Sequence, residues 1–381
     1  MTEKAIHFGA GKIGRGFIGY VLSRAGYELC FADVNRDLVS LLDRERRYTV
    51  HVVDFESHDE VVEGFRAVLG GSPEMLELFK EASLVTTAVS MKVLPLIAPT
   101  IAAGLEARRE AGEEAPLNII SCENGVRATS TLKGYVLEHF SDVAWLDAHV
   151  GFADSSVDRI VPMLSFDHPL DVAVEEFFEW CVDATQLKAP LKIIPGLNLT
   201  TDLLSHIERK LYTVNTGHCT TAWLGNRRGC TYISEVLDIP EIRSQVLAVM
   251  EQSGEALIAK FGLDRSEQAA YIRTVLRRFR NPHLKDLVAR VGGDPVRKLG
   301  PSLYLSYPIR MALQYGTPTD QLCLALGAAL HTDIPGDAQS VQLKEMIASM
   351  GIEAAIVKIT GLQEPPIVKA IADGYAAYAA Q

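Results

Sequence analysis

The stretch between residues 5 and 33 constrains this chain more than any other. Ala5-Ile-His-Phe8 is a short apolar run, Gly9-Ala10-Gly11-Lys12-Ile13-Gly14 follows at once, and Phe17 to Leu22 is periodic. Strand, glycine turn and helix in that order are the context in which a G-x-G-x-x-G pattern carries meaning. The first glycine permits the tight turn, the second lets the backbone approach a pyrophosphate, and the third lets helix and strand pack closely. The helix N-terminus then offers N–H groups to phosphate. A second strand, Glu28 to Ala32, leads into Asp33, 19 residues beyond the third glycine. A carboxylate there accepts hydrogen bonds from an adenosine ribose 2′-OH and repels a 2′-phosphate. Gly9, Ala10, Gly11, Lys12, Ile13, Gly14 and Asp33 are therefore read as the cofactor site, and NAD as the cofactor. Arg15 and Arg36 would suit the extra phosphate of NADP, but Asp33 favours NAD.

Alternation of strand and helix continues through Tyr48–Val53, Pro73–Lys80, Leu84–Val89, Val93–Arg109, Leu117–Ser121 and Thr129–His139. Such β-α alternation implies a mainly parallel sheet with helices on both faces. Ligands of these folds sit beyond the C-terminal ends of strands, which draws attention to Glu123 and Asn124 just past Leu117–Ser121. An Asn before Gly125 is also ordinary turn chemistry. Pro190 to Pro195 reads as a linker, and beyond Gly196 the pattern becomes helical. The expected architecture is α/β: a Rossmann-type doubly wound sheet over residues 1–195, then a mainly α-helical substrate-binding and catalytic domain over 196–381. Its helices are expected at Glu241–Phe261, Ser266–Phe279, Leu284–Val291, Tyr307–Tyr315, Asp320–Leu330 and Ala338–Met350, after the one carrying Lys210.

That helix carries the chemistry. From Thr201 onwards Leu203, Leu204, Ile207, Leu211 and Val214 recur at helical spacing. At roughly 100° per residue, Lys210, His218 and Asn215 fall at about 0°, 80° and 140°, within one broad face. An amine, an imidazole and an amide can therefore address one small ligand. Oxidation of an alcohol by NAD needs a base for the hydroxyl proton and donors for the developing carbonyl oxygen. Lysine in water is a poor base, and burial beside a cationic nicotinamide would lower its pKa enough to make it a useful one. A tyrosine-based design needs Tyr and Lys four apart, which the sequence lacks; a zinc design needs a Cys/His ligand set at short spacing.

The net charge of -11 and the lack of a basic block argue against nucleic acid. No apolar run approaches a membrane span, nor does the N-terminus have the form of a signal peptide, and the expected location is cytoplasmic. Six scattered cysteines read as reduced thiols, mostly buried, and no metal is expected. A monomer is the expectation for assembly.

Three motifs in order, Gly9 to Gly16, Val157-Asp158-Arg159-Ile160-x-Pro162 and Lys210-x4-Asn215-x2-His218, resemble the polyol-specific long-chain dehydrogenases, the mannitol dehydrogenase family. His7 to Gly19, Phe31-Ala-Asp-Val-Asn35, Cys122-Glu-Asn124 and Asn281-Pro282 are most similar to its members that interconvert D-mannitol 1-phosphate and D-fructose 6-phosphate. The resemblance implies metal-independent oxidation with NAD. It also implies Lys210 as general acid/base, Asn124 and Asn215 on the reacting oxygen, and His218 as a positioning group. Arg290 and Lys298 match basic substrate contacts of the family, and Arg297 adds a third cation, so a hexitol phosphate is the expected substrate. Read without the resemblance, the three form an ordinary solvated basic loop, and Asp158-Arg159 an ordinary structural ion pair. The nearest alternatives are relatives acting on free mannitol or on a sugar acid such as fructuronate.

Overall fold

A computed structural model describes residues 3–162 and 164–379. The chain forms two compact units, Met1–His206 and Ile207–Gln381. The strands of the first are β1 (Lys4–Phe8), β2 (Glu28–Asp33), β3 (Arg47–Val52), β4 (His58–Glu63), β5 (Arg66–Leu69) and β6 (Ala82–Thr87). They continue as β7 (Leu117–Ser121), β8 (Val150–Phe152), β9 (Ser155–Asp158), β10 (Val172–Val174), β11 (Glu179–Asp183) and β12 (Leu197–Thr200).

Six of them build the main sheet in the order β5-β2-β1-β6-β7-β8, every pairing parallel. Counted along the chain within that sheet, this is the 3-2-1-4-5-6 order of a doubly wound dinucleotide fold, with the order reversing between β1 and β6. Alternation sorts the side chains into two cores. Ala5, Leu29, Phe31, Leu84 and Ile120 enter one; Ile6, Phe8, Cys30, Val85 and Ile119 enter the other. Both faces are dry, as a parallel sheet requires.

The strand expected at Tyr48–Val53 forms but lies outside this sheet: β3 pairs with β4 and β10 in a separate three-stranded sheet. A third sheet, β12-β11-β9, holds the end of the unit. Because β12 pairs with β11, residues after Pro195 stay with the first unit up to His206.

Leu203–Arg209, Lys210–Asn215 and Thr216–Arg227 run as one helix that enters the second unit at Ile207, and Ile233–Asp238, Pro240–Phe261 and Arg265–Phe279 follow. The helix expected over Leu284–Val291 is broken: a short turn at Pro282–Leu284 precedes a helix at Val288–Gly292, with Lys285 in the left-handed region between them. Pro295–Lys298, Ser306–Tyr315, Asp320–Ala329, Ala338–Met350, Ile352–Thr360 and Pro365–Ala379 complete the unit. Among the described residues no helix is long and apolar enough to cross a membrane.

His7 is fully buried on β1, its Nδ1 2.7 Å from the Thr86 hydroxyl, and burial lowers its pKa from 6.5 to about 3. A base held neutral in the fold but protonated when unfolded contributes stability that is complete above about pH 6.5 and is lost as pH falls towards 3. At pH 5 the loss is on the order of 2 kcal/mol. Urea unfolding of the first unit at pH 7 and pH 5 checks this: His7→Gln is expected to reduce the acid sensitivity of the midpoint.

Candidate active site

The glycine loop is shaped by close contacts. Gly9 has φ +97°, and a Cβ there would stand 2.5 Å from the Ala88 carbonyl. A Cβ on Gly14 would lie 1.8 Å from the Gly9 carbonyl, so the turn and the helix that follows it close directly on each other. Gly11 differs, because a Cβ there meets nothing within 4 Å. The second glycine thus faces open space, as backbone approached by a pyrophosphate must. Asp33 ends β2 with one carboxylate oxygen accepting from Ala10 N (2.7 Å) and the other from Asn35 N (2.9 Å). Each oxygen keeps a lone pair for a ribose hydroxyl. These residues fit a dinucleotide.

Arg15, Glu123 and Arg159, near the loop, are engaged within the fold. Arg15 is buried and donates to the carbonyls of Leu170 (2.9 Å) and Ala10, so it binds neither pyrophosphate nor an extra phosphate. Lys12 Nζ reaches the Leu164 carbonyl, and Ile13 is largely exposed. Glu123, at the end of β7, is buried and accepts from the Thr87 hydroxyl (2.9 Å), Val89 N (2.8 Å) and Ser90 N (2.6 Å). It clamps the loop after β6 and is not available to a nicotinamide. Asn124 beside it is exposed. Arg159 donates to the carbonyls of Glu175 (3.0 Å) and Gly16 (3.2 Å) and lies over the rings of Phe17, Tyr20 and Phe178. The Asp158-Arg159 motif thereby ties a distant segment to the helix behind the glycine loop.

In the second unit, Lys210–Asn215 is a π turn inside the long helix. Closing at i→i+5 brings Lys210 and Asn215 to the same side, where uniform α-helix would leave them about 140° apart. His218 follows Asn215 by one α-helical turn on that side. A π turn disturbs the i→i+4 ladder, and the Ser253 hydroxyl serves one of its carbonyls, that of Tyr212. Lys210, Asn215 and His218 are all half-buried. Leu204, counted with the apolar face, is instead 52% exposed.

Two polar chains run from this face. His218 Nε2 lies 2.7 Å from Asp286 Oδ2, its ring stacks on Phe279 at 4.6 Å, and Arg290 grips the other Asp286 oxygen (Nε, 3.0 Å). Burial alone would raise the Asp286 carboxyl. The hydrogen bond and charge of His218, then Arg290, outweigh this and hold it below its ordinary value. A ring nitrogen facing a carboxylate carries the hydrogen, so the neutral ring presents Nδ1 as an acceptor. In the second chain, burial raises the Tyr304 hydroxyl while Arg297 and Asn215 beside it act the other way, and Arg297 donates to Asp294 (3.0 Å). Lys298 is partly buried, donates to the Val291 carbonyl (2.6 Å), and is lowered by burial and by the nearby charges of Arg297 and Arg290. All three cations also act on Cys219, next to His218, whose thiol burial pushes up to about 11.

The structure thus brings Lys210, Asn215, His218, Arg290, Arg297 and Lys298 into one unit around one helix, with Asn124 in the other. Sequence reasoning missed Asp286, Tyr304 and Phe279.

Family models match the chain twice: the mannitol dehydrogenase Rossmann domain over residues 3–195 and the mannitol dehydrogenase C-terminal domain over 202–379. The chain belongs to the mannitol dehydrogenase family of polyol dehydrogenases, and its first unit is the NAD-binding Rossmann domain. It is similar to Pseudomonas fluorescens mannitol 2-dehydrogenase, solved as a ternary complex with NAD and D-mannitol. The identity is 19% and the TM-score 0.73, over 100% of this chain and 92% of that one. A D-sorbitol dehydrogenase in substrate-free form is 16% identical with TM-score 0.81, over 97% and 92% of the two chains.

Two substitutions test these assignments. Gly11→Ala is expected to leave thermal stability nearly unchanged while weakening NAD binding, measured by fluorescence titration. Asp286→Asn is expected to lower kcat for polyol oxidation about 10- to 100-fold, the worth of a hydrogen bond to a charged group, with NAD binding unaltered.

Proposed function

We propose that the protein interconverts D-mannitol 1-phosphate and D-fructose 6-phosphate with NAD, the activity of a mannitol-1-phosphate 5-dehydrogenase. The observation that carries this reading is the set of three cations, Arg290, Arg297 and Lys298, gathered beside the helix of Lys210, Asn215 and His218. A neutral hexitol needs no such charge, whereas a phosphate monoester is held by charge-assisted hydrogen bonds.

NAD, when bound, supplies the two-electron acceptor. Lys210, in its neutral form, takes the proton from the reacting hydroxyl. Asn215, close to the Tyr304 hydroxyl, donates its amide hydrogen to the oxygen as it becomes a carbonyl. His218, its tautomer set by Asp286, accepts from a neighbouring hydroxyl through Nδ1 and orients the carbon chain. With lysine as the base, proton transfer needs no metal.

A second reading, a mannitol 2-dehydrogenase or fructuronate reductase type, draws on the same cluster. Arg290 is already engaged by Asp286 and Arg297 by Asp294, which reduces the charge offered to a ligand.

Initial rates of NAD reduction separate the two. D-mannitol 1-phosphate is expected to exceed D-mannitol in kcat/KM by roughly 10²-fold or more, since each charge-assisted contact is worth about 1.5–3 kcal/mol. Arg297→Met is expected to raise KM for the phosphate ester with little change in kcat. Equal turnover of the two substrates would contradict the proposal. Lys210→Ala is expected to lose at least about 10²-fold in kcat while still binding NAD.

A further inference from the structure

We propose that the first unit holds a structural zinc ion on Glu179, Cys181 and His206. Glu179 and Cys181 alternate on β11 and so share one face of the strand, while Trp180 and Val182 point the other way into the core, both fully buried. A buried cysteine acting as a small apolar residue would be expected on that core side. Cys181 lies instead on the polar face, and the donor atoms of Glu179, Cys181 and His206 all stand within 4.8 Å of one another.

The separations suit one ion. Cys181 Sγ and His206 Nδ1 are 3.3 Å apart. Around a tetrahedral zinc with Zn–S about 2.3 Å and Zn–N about 2.0–2.1 Å, sulfur and nitrogen stand about 3.5 Å apart. Thiolate, imidazole and carboxylate together are a zinc donor set, too soft for magnesium or calcium. Two surrounding features agree. The Asn198 amide, beside Cys181 in the β11–β12 register, donates towards its sulfur at 3.9 Å, as outer groups do for a metal-bound thiolate. Across the other edge, Asp158 pairs directly opposite Glu179, so two carboxylates share the face, and a dication offsets their repulsion.

The ion would fasten β11 to His206, on the first turns of the helix that begins at Leu203. Binding displaces the Cys181 proton to solvent, so retention weakens as pH falls. Glu179 and His206 are partly exposed and provide the way in. The spacing of ligands along the chain hid the site, since Cys181 and His206 are 25 residues apart. Because Lys210 serves as the base, the ion takes no part in turnover.

The test uses the full chain, purified without a histidine tag from zinc-supplemented growth, with metal content read by atomic emission. Stoichiometric zinc is expected, and cobalt exchanged into the site should give a thiolate-to-metal charge-transfer band. Both should disappear in Cys181→Ser and His206→Gln, and removing zinc from the wild type with a chelator should lower its unfolding midpoint by several degrees without changing kcat. The cobalt spectrum of the wild type decides the matter even if a variant fails to fold. Trace zinc and no charge-transfer band in folded wild-type protein, or zinc retained by both variants, would overturn the proposal and leave a thiol–imidazole hydrogen bond.

Discussion

Between Lys210 and Asn215 the long helix of the second unit closes five residues at a time, and the arrangement around it depends on that one irregularity. Without it the lysine and the amide would lie far apart around the axis, and no single ligand atom could meet both. A π turn weakens the backbone ladder, and the Ser253 hydroxyl supports it here by serving the Tyr212 carbonyl. Thr216, just past the turn, donates to the carbonyl of Tyr304, and this ties the helix to the segment beside Asn215.

The electrostatics follow the same economy of contacts. A histidine on an exposed helix face would rotate and exchange tautomers. His218 is fixed by a stacked ring on one side and a carboxylate at one nitrogen, and the carboxylate is itself held by an arginine. Arg290 thus has a support role besides any contact with substrate. Lys298, anchored on a carbonyl and crowded by two arginines, is the cation of the three whose charge burial opposes most directly. An anion nearby would stabilise all three together.

Much of this was legible in the sequence, and the reason is periodicity. The glycine loop, β1, β2, β6 and β7 announce themselves because both faces of a parallel sheet are buried and the runs are nearly continuous. The polar positions of the Lys210 helix stand out because its other side is apolar. What was not legible depends on contacts between distant segments. The strand β3 looks like its neighbours, and only its pairing with β10, more than a hundred residues on, removes it from the main sheet. Glu123 follows a strand as a ligand-binding acid would, yet it caps the Val89 and Ser90 amides. Asp286 sits in a stretch that reads as plain helix and Tyr304 in one without period, so nothing local connects them to His218 and Asn215. The boundary read after Pro195 agrees with the family models, which cover 3–195 and 202–379, while the pairing of β12 with β11 carries the first compact unit on to His206.

The role of Lys210 as the base is the claim on which the rest converges, and chemical rescue tests it most directly. In Lys210→Ala, small primary amines added to the assay should restore NAD reduction in proportion to their concentration and with a rate that follows their basicity. A folded, NAD-binding Lys210→Ala protein that no amine restores, or one that turns over as fast as the wild type, would contradict the account.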